Sequence, residues 1–309
     1  MGLSRNILLW ASQNAFLKER VPRLGFVRRA VRKFMPGEDV EAALDAAEVL
    51  KEKGIPTIFT RLGENITTQS EAEAVRDHYL VVLEKIRDRG LDTHISTKLT
   101  QLGLDLDPEL ARKNMLAITR RARELGNFTW IDMESTPYVD VTLNVYARIH
   151  DDYDNVGICL QSYLQRTKKD MDVLYPRSPA IRMVKGAYKE PPEFVFAKKR
   201  DVDESFFRLC SEYLEKVPPA KQNLGYGTHD VSLIRRISAE AERLGLGKSA
   251  PEFQMLYGIK TKEQERLAGE GYTVRVLVAY GDFWYPWYMR RLAERPANVW
   301  FVIKNMFGS

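Results

Sequence analysis

Short runs of β-branched and aromatic residues alternate along the chain with longer stretches whose apolar positions recur every three or four residues. The runs cover residues 56–61, 93–98, 128–133, 156–161, 181–185, 224–228, 252–256 and 273–278. Each has the length and composition of a buried strand. Between them, residues 71–89 place Ala74, Tyr79, Val82, Leu83 and Ile86 at helical spacing. Residues 108–125 open with Asp107 as a helix cap and Pro108 at the first helical position, and Gly126 closes them. Residues 202–217 and 232–244 repeat the helical pattern. Strands alternating with helices predict a parallel sheet. Eight such repeats predict an α/β fold of the (βα)8 TIM-type barrel. An open doubly wound sheet is the rival. It usually has fewer strands, and no G-x-G-x-x-G follows the first one; the glycines at 225–227 and 245–247 match neither a dinucleotide fingerprint nor a phosphate loop.

No low-complexity linker interrupts the chain, so it divides into a helical, basic N-terminal extension at 1–40 and a barrel domain at 41–309. The extension holds eight Lys/Arg against three Asp/Glu, beside Ile7, Leu8, Leu9, Trp10, Phe16, Leu17, Leu24, Phe26, Val27 and Val31. Such a segment either lies on a membrane surface or packs as a cap on the main domain. Composition adds exclusions. With 44% hydrophobic and 29% charged residues, the 309-residue chain is neither a disordered tail, a collagen nor a coiled-coil rod. A mean hydropathy of -0.35 and the lack of an unbroken apolar stretch of about 18 residues exclude a spanning helix, and no secretory signal is expected. The net charge of +5 is too small to imply nucleic acid. Cys159 and Cys210 make no disulfide framework, which fits a cytoplasmic protein, peripheral on the inner face of the membrane if the extension binds lipid.

Chemistry in such barrels collects at the C-terminal ends of the strands. Those ends carry Arg61 and Glu64; Lys98; Asp132, Met133 and Glu134; Gln161, Tyr163 and Arg166; Arg182 and Lys185 with Gly186, Ala187 and Tyr188; Thr228, His229 and Asp230; Leu256; and Tyr280. Paired carboxylates for a neutral sugar are missing. The four histidines show no metal-ligand spacing, so no metal is expected. A cationic mouth suits a phosphate or carboxylate ligand; the alternative is that Lys98 and Lys185 pair with Asp132 and Glu134. After the last strand, Arg290 and Arg291 follow several aromatics. They form either a planar carboxylate clamp under an aromatic cover or the solvated face of an outer helix. A Schiff-base lyase or aldolase using Lys98 or Lys185 is a second enzyme class, disfavoured by the cations crowded near both.

The runs IRMVKGAY at 181–188, QSYLQR at 161–166, GTHD at 227–230, FQMLYG at 253–258, RRLAE at 290–294 and LGE at 62–64 resemble, in order and spacing, the flavin-dependent proline dehydrogenases. The resemblance covers roughly residues 40–305, and the length suits the short bacterial monofunctional branch. It implies a distorted barrel with its last helix over the mouth, binding FAD without a Rossmann motif. The implied reaction oxidises L-proline to Δ1-pyrroline-5-carboxylate by hydride transfer from C5 to flavin N5. Electrons then pass to a quinone, and a pyrroline-5-carboxylate dehydrogenase is the implied functional partner. By the same resemblance Arg182 lies near flavin N5, with Met133 and Gln161 at the isoalloxazine. Lys185, Gly186 and Ala187 line the cofactor, with Thr228 and His229 beside it. Lys98, Arg290 and Arg291 hold the proline carboxylate, Leu256 packs on the ring, and Glu64 closes a gate with Arg290. Asp132 and Tyr188 are the polar pair of the pocket, Asp132 anchoring Lys98 or Tyr188. Two positions depart from the family pattern. Leu277 and Trp287 stand where many relatives carry tyrosines, with Tyr280 and Tyr288 as the aromatic alternatives.

Overall fold

Every apolar run becomes a strand, and each strand pairs in parallel with the next. The computed structural model describes residues 14–21, 25–63 and 66–294. The strands are β1 Thr57–Arg61, β2 Thr93–Thr97, β3 Thr129–Ile131, β4 Val156–Gln161, β5 Ala180–Val184, β6 Leu224–Gly227, β7 Glu252–Leu256 and β8 Thr273–Tyr280. They follow one another in chain order around a closed barrel, which β8 seals by pairing with β1, Thr57 opposite Val276 and Arg61 opposite Tyr280. The doubly wound rival is thereby excluded.

The helices are α1 Ala15–Arg20, α2 Gly25–Val31, α3 Val40–Lys51, α4 Gln69–Asp88, α5 Pro108–Glu124, α6 Val139–His150, α7 Thr167–Leu174, α8 Lys199–Lys216, α9 Val231–Arg243, α10 Thr261–Gly269 and α11 Trp284–Glu294. Local chemistry sets their ends. Thr68 caps α4 in a reciprocal box with Glu71. Asp107 accepts from the Glu109 amide ahead of Pro108 in α5.

Side chains alternate across the barrel wall with the strand period of two. Outward residues such as Phe59, Ile95, Ile158, Met183, Phe253 and Val276 join the main core between sheet and helices. Inward, Ile58, Trp130 and Ala180 make a separate cluster with Phe128 and Leu277. Trp130 explains the glycine next to it. A Cβ at Gly157 would lie 2.4 Å from the indole, so a bare strand position makes room for the ring.

One helix is displaced from the simple repeat. Lys85 of α4 and Arg89 just beyond it pair with Glu41 and Asp45 of α3, and Lys53 just after α3 pairs with Glu265 of α10. α3 therefore fills the outer-ring slot beside β8 and β1. The helix that follows β8, α11, is freed to lie at the mouth. Its Trp284, Tyr285, Tyr288 and Leu292 pack on Leu62 and Ala279 and on Val27, Val31 and Met35 of the N-terminal segment. Phe34 meets Tyr288 at 6.0 Å between ring centroids, and Trp284 Nε1 donates to Glu38 at 2.9 Å. Gly258, at φ +71, seats this segment; a Cβ there would fall 1.6 Å from the Lys33 carbonyl oxygen.

Candidate functional site

The inward positions nearest the C-terminal end of the barrel are polar. Arg182 on β5 is 3% exposed. Its Nη2 donates to Ser96 Oγ at 2.8 Å and to Asp132, which also accepts from Ser96 Oγ at 2.9 Å. The guanidinium lies 5.3 Å from the Trp130 ring centroid, a favourable place for a cation. Burial works most strongly against the Arg182 charge, but Asp132, with Cys159 and Glu252 adding to it, raises its pKa on balance. Asp132 thus anchors Arg182, where the sequence pointed to Lys98 or Tyr188. The reason is that a buried guanidinium requires a counter-ion at hand. Tyr79 braces this triad from outside: its hydroxyl donates to the Ser96 carbonyl at 3.2 Å and accepts from the Arg61 amide at 3.0 Å.

Gln161 ends β4, one inward step above Cys159, which faces Arg182 in the register. Its Nε2 donates to the carbonyls of Met133 and Glu134, both at 3.3 Å. Glu134 accepts from Thr100, Oγ1 at 2.9 Å. Burial raises its pKa, against the nearby Lys98 ammonium. Two atoms of this group, Arg182 Nη1 and Gln161 Oε1, are buried and without a hydrogen-bond partner among the described residues.

Lys185, one residue beyond β5, is taken by Asp203 at 2.5 Å and Asp230 at 3.0 Å rather than by Asp132 or Glu134. Lys199 shares both carboxylates. Burial raises the Asp230 pKa, but the hydrogen bonds from the two lysines outweigh it and hold the carboxyl well below its usual range. Beside this quartet a cleft of about 310 Å³ is lined by Lys199, Arg200, Ser232 and Arg236. Thr228 Oγ1 accepts from the Asp230 amide at 3.1 Å. His229 Nε2 accepts from the Leu256 amide at 2.8 Å, which assigns its proton to Nδ1 and joins β6 to β7. Gly186 stands at φ +110, with the Tyr163 ring 2.2 Å from where a Cβ would sit. Ala187 is exposed and Tyr188 half-buried on the same loop.

On α11, Arg291 lies 5.9 Å from the Trp287 ring. Glu64 and the Arg290 side chain lie outside the described residues, and so does any gate between them. Of the aromatic alternatives, Tyr280 bonds His78 at 2.9 Å and packs against Phe59 in the outer layer. Tyr288 is buried against Phe34, and Leu277 belongs to the inner cluster. Trp287 is therefore the aromatic beside Arg291. Ser96, Tyr79 and Trp130 were not singled out for the site, because the sequence reading followed the charged and polar residues at and beyond the strand ends. The period of two, counted back from Lys98 and Asp132, points to Ser96 and Trp130.

A closed parallel barrel with a buried ion pair at its C-terminal end and an arginine-bearing helix across the mouth defines a (βα)8-barrel enzyme. The family model described as proline dehydrogenase matches residues 43–304, and the chain belongs to the proline dehydrogenase family, oxidoreductases of proline catabolism. It is 34% identical over 306 residues to proline dehydrogenase 2 of Bacillus subtilis subsp. natto, covering 99% of each chain. It is 37% identical over 279 residues to proline dehydrogenase of Deinococcus radiodurans, covering 89% of each. The similarity runs over nearly the whole length of these bacterial proline dehydrogenases. A crystal structure of proline utilization A from Bdellovibrio bacteriovorus superposes with a TM-score of 0.81 at 21% identity, over 99% of this chain and 38% of that one. That likeness bears on the fold alone.

Proposed function

We propose that the chain oxidises L-proline to Δ1-pyrroline-5-carboxylate with FAD as cofactor and a quinone as electron acceptor. The observation that carries the reading is the pair of orphaned buried atoms at the mouth, the donor Arg182 Nη1 and the acceptor Gln161 Oε1. An isoalloxazine edge presents both acceptors and an N–H donor, so the two residues fit it together. FAD, when bound, supplies the hydride acceptor for proline C5. Arg182 would hold its ring, with Met133 and Gln161 beside it. The cations near the α8 and α9 N-termini suit its diphosphate, and the positive φ at Gly186 lets the backbone approach closely.

Lys98, Arg290 and Arg291 would bind the carboxylate, Leu256 and Trp287 would bound the ring, and Asp132 would keep Arg182 charged and in place. Lys185 ties α8 to the loop after β6, a role that leaves it poorly placed to form a Schiff base. The purified protein should show a flavin spectrum that L-proline bleaches without oxygen; a colourless protein, or a spectrum unmoved by proline, overturns the reading.

Delivery of electrons to a membrane quinone belongs to the same proposal. Leu17, Val21, Val27 and Val31 are already packed toward α11, so of the described apolar residues of the extension Phe16, 61% exposed, is the one offered to lipid. Phe16→Glu should weaken binding to anionic vesicles and leave bleaching by proline intact. Equal vesicle binding would show that the extension serves as a cap.

A further inference from the structure

The loop after β5 is held in an unusual way. Tyr163, two residues beyond β4, has its backbone gripped from both sides by this one loop: its amide donates to the Lys185 carbonyl at 2.9 Å, and its carbonyl accepts from the Phe196 amide at 2.9 Å. Gln165 N donates to Phe194 O at 2.9 Å, and Leu164 bridges Val195. Both feet of the segment 185–196 therefore stand on the β4 loop. Its top is fixed separately. The Glu190 carboxylate accepts from the Thr136 amide at 3.0 Å and from Thr136 Oγ1, in the short turn after Asp132, Met133 and Glu134. The same carboxylate accepts the Tyr163 hydroxyl at 3.3 Å. Burial and Glu190 push the Tyr163 hydroxyl up in pKa, opposed by the Tyr188 backbone amide. The hydroxyl thus donates to Glu190, with the Tyr188 amide near enough to oppose the rise in its pKa. Pro191 and Pro192 stiffen the chain immediately after Glu190.

We propose that Glu190 is a positioning residue, which through the Tyr163 hydroxyl and Thr136 sets the backbone of Tyr188 and couples the β5 loop to the β3 loop. The inference rests on the proposed function for the role of Tyr188 in the pocket. Glu190 touches neither substrate nor cofactor in this scheme; it fixes the segment Gly186–Ala187–Tyr188 at one end while Tyr163 fixes it at the other. Without the carboxylate, the loop keeps its feet and loses its top, so Tyr188 is offered to proline in many poses instead of one. The cost falls on substrate affinity more than on turnover of what does bind.

The test uses the full-length holoenzyme with Glu190→Ala, Glu190→Gln and Thr136→Val. Hydrogen exchange of the 186–198 peptide, read by mass spectrometry, reports on the clamp directly. Glu190→Ala should speed exchange there by about tenfold or more and raise KM for proline by about tenfold, with kcat within about twofold and flavin content unchanged. Glu190→Gln, which keeps an acceptor for Thr136 and Tyr163, should stay near wild type in both measurements. Thr136→Val should move both in the direction of Glu190→Ala by a smaller amount, and it decides the matter if Glu190→Ala does not fold. Wild-type exchange and KM in Glu190→Ala, or in Thr136→Val when it must stand alone, overturn the proposal. So does a Glu190→Gln variant as impaired as the alanine one. A wild-type protein that holds no flavin and oxidises no proline would instead sink the functional reading, while the exchange measurement would still judge the clamp.

Discussion

Arg182 and Asp132 are worth more together than apart. Each is the other's counter-ion, Arg182 buried and Asp132 partly so, and removing one side of a buried pair typically costs about 3–5 kcal/mol. Arg182→Met should therefore lower the thermal midpoint strongly, and adding Asp132→Asn should restore part of the loss; strictly additive losses would show that the pair is not coupled. In the holoenzyme, losing a fixed cation should also lower the flavin reduction potential and slow reduction by proline, and an unchanged potential would remove Arg182 from the ring. Arg182, Asp132 and Gln161 were legible in the sequence because each sits within or at the end of a β-rich run, where a charge or amide is costly unless used. Which cation owns Asp132 was not legible. That depends on which side chains the closed barrel turns inward, a consequence of register between strands that no single run contains.

Among the elements, α11 and the segment Val27–Met35 depend on each other. Leu17, Val27 and Val31, three of the apolar residues that made the extension look amphipathic, share a core cluster with Trp284, Tyr285 and Tyr288, a pairing across nearly the whole chain that local periodicity cannot show. The eight strands and the helices at 71–89, 108–125, 202–217 and 232–244, by contrast, were readable to within two or three residues, because caps such as Asp107 and the strand composition act locally. If α11 carries the carboxylate clamp, Arg291→Met should raise KM for proline about ten- to a hundredfold with FAD retained, matching the loss of one charge-assisted bond. Gly258→Ala should raise KM in the same direction from a distance. A methyl group there meets the Lys33 carbonyl and the residue is held at positive φ, so the N-terminal segment must move and α11 loses its support; Trp284 emission should shift red. Unchanged KM in both variants would place α11 outside the substrate site.

At the scale of the molecule, two shielded imidazoles, His78 on α4 and His94 inside the barrel, make stability depend on acid. Burial, reinforced by Arg61, lowers His78 to about 4, and burial with Arg275 and Arg182 nearby lowers His94 well below 6.5. Unfolded histidines protonate near 6.5, so the unfolded chain binds more protons than the folded one between about 6.5 and 4. Stability from these two residues is complete above that window and is lost as pH falls through it. Thermal midpoints measured from pH 7.5 to 4.5 should decline below about 6.5, and His78→Gln should flatten the decline; a midpoint independent of pH would contradict the burial of both rings. The shared layer of α2 and α11 has a further consequence, in time. A ribosome delivers Val27 to Met35 early and Trp284 to Leu292 only after all eight strands have been made, so the early segment waits through most of synthesis for its partner. The mouth of the barrel stays uncovered while the nascent protein folds, and its cover arrives with the last helix described here.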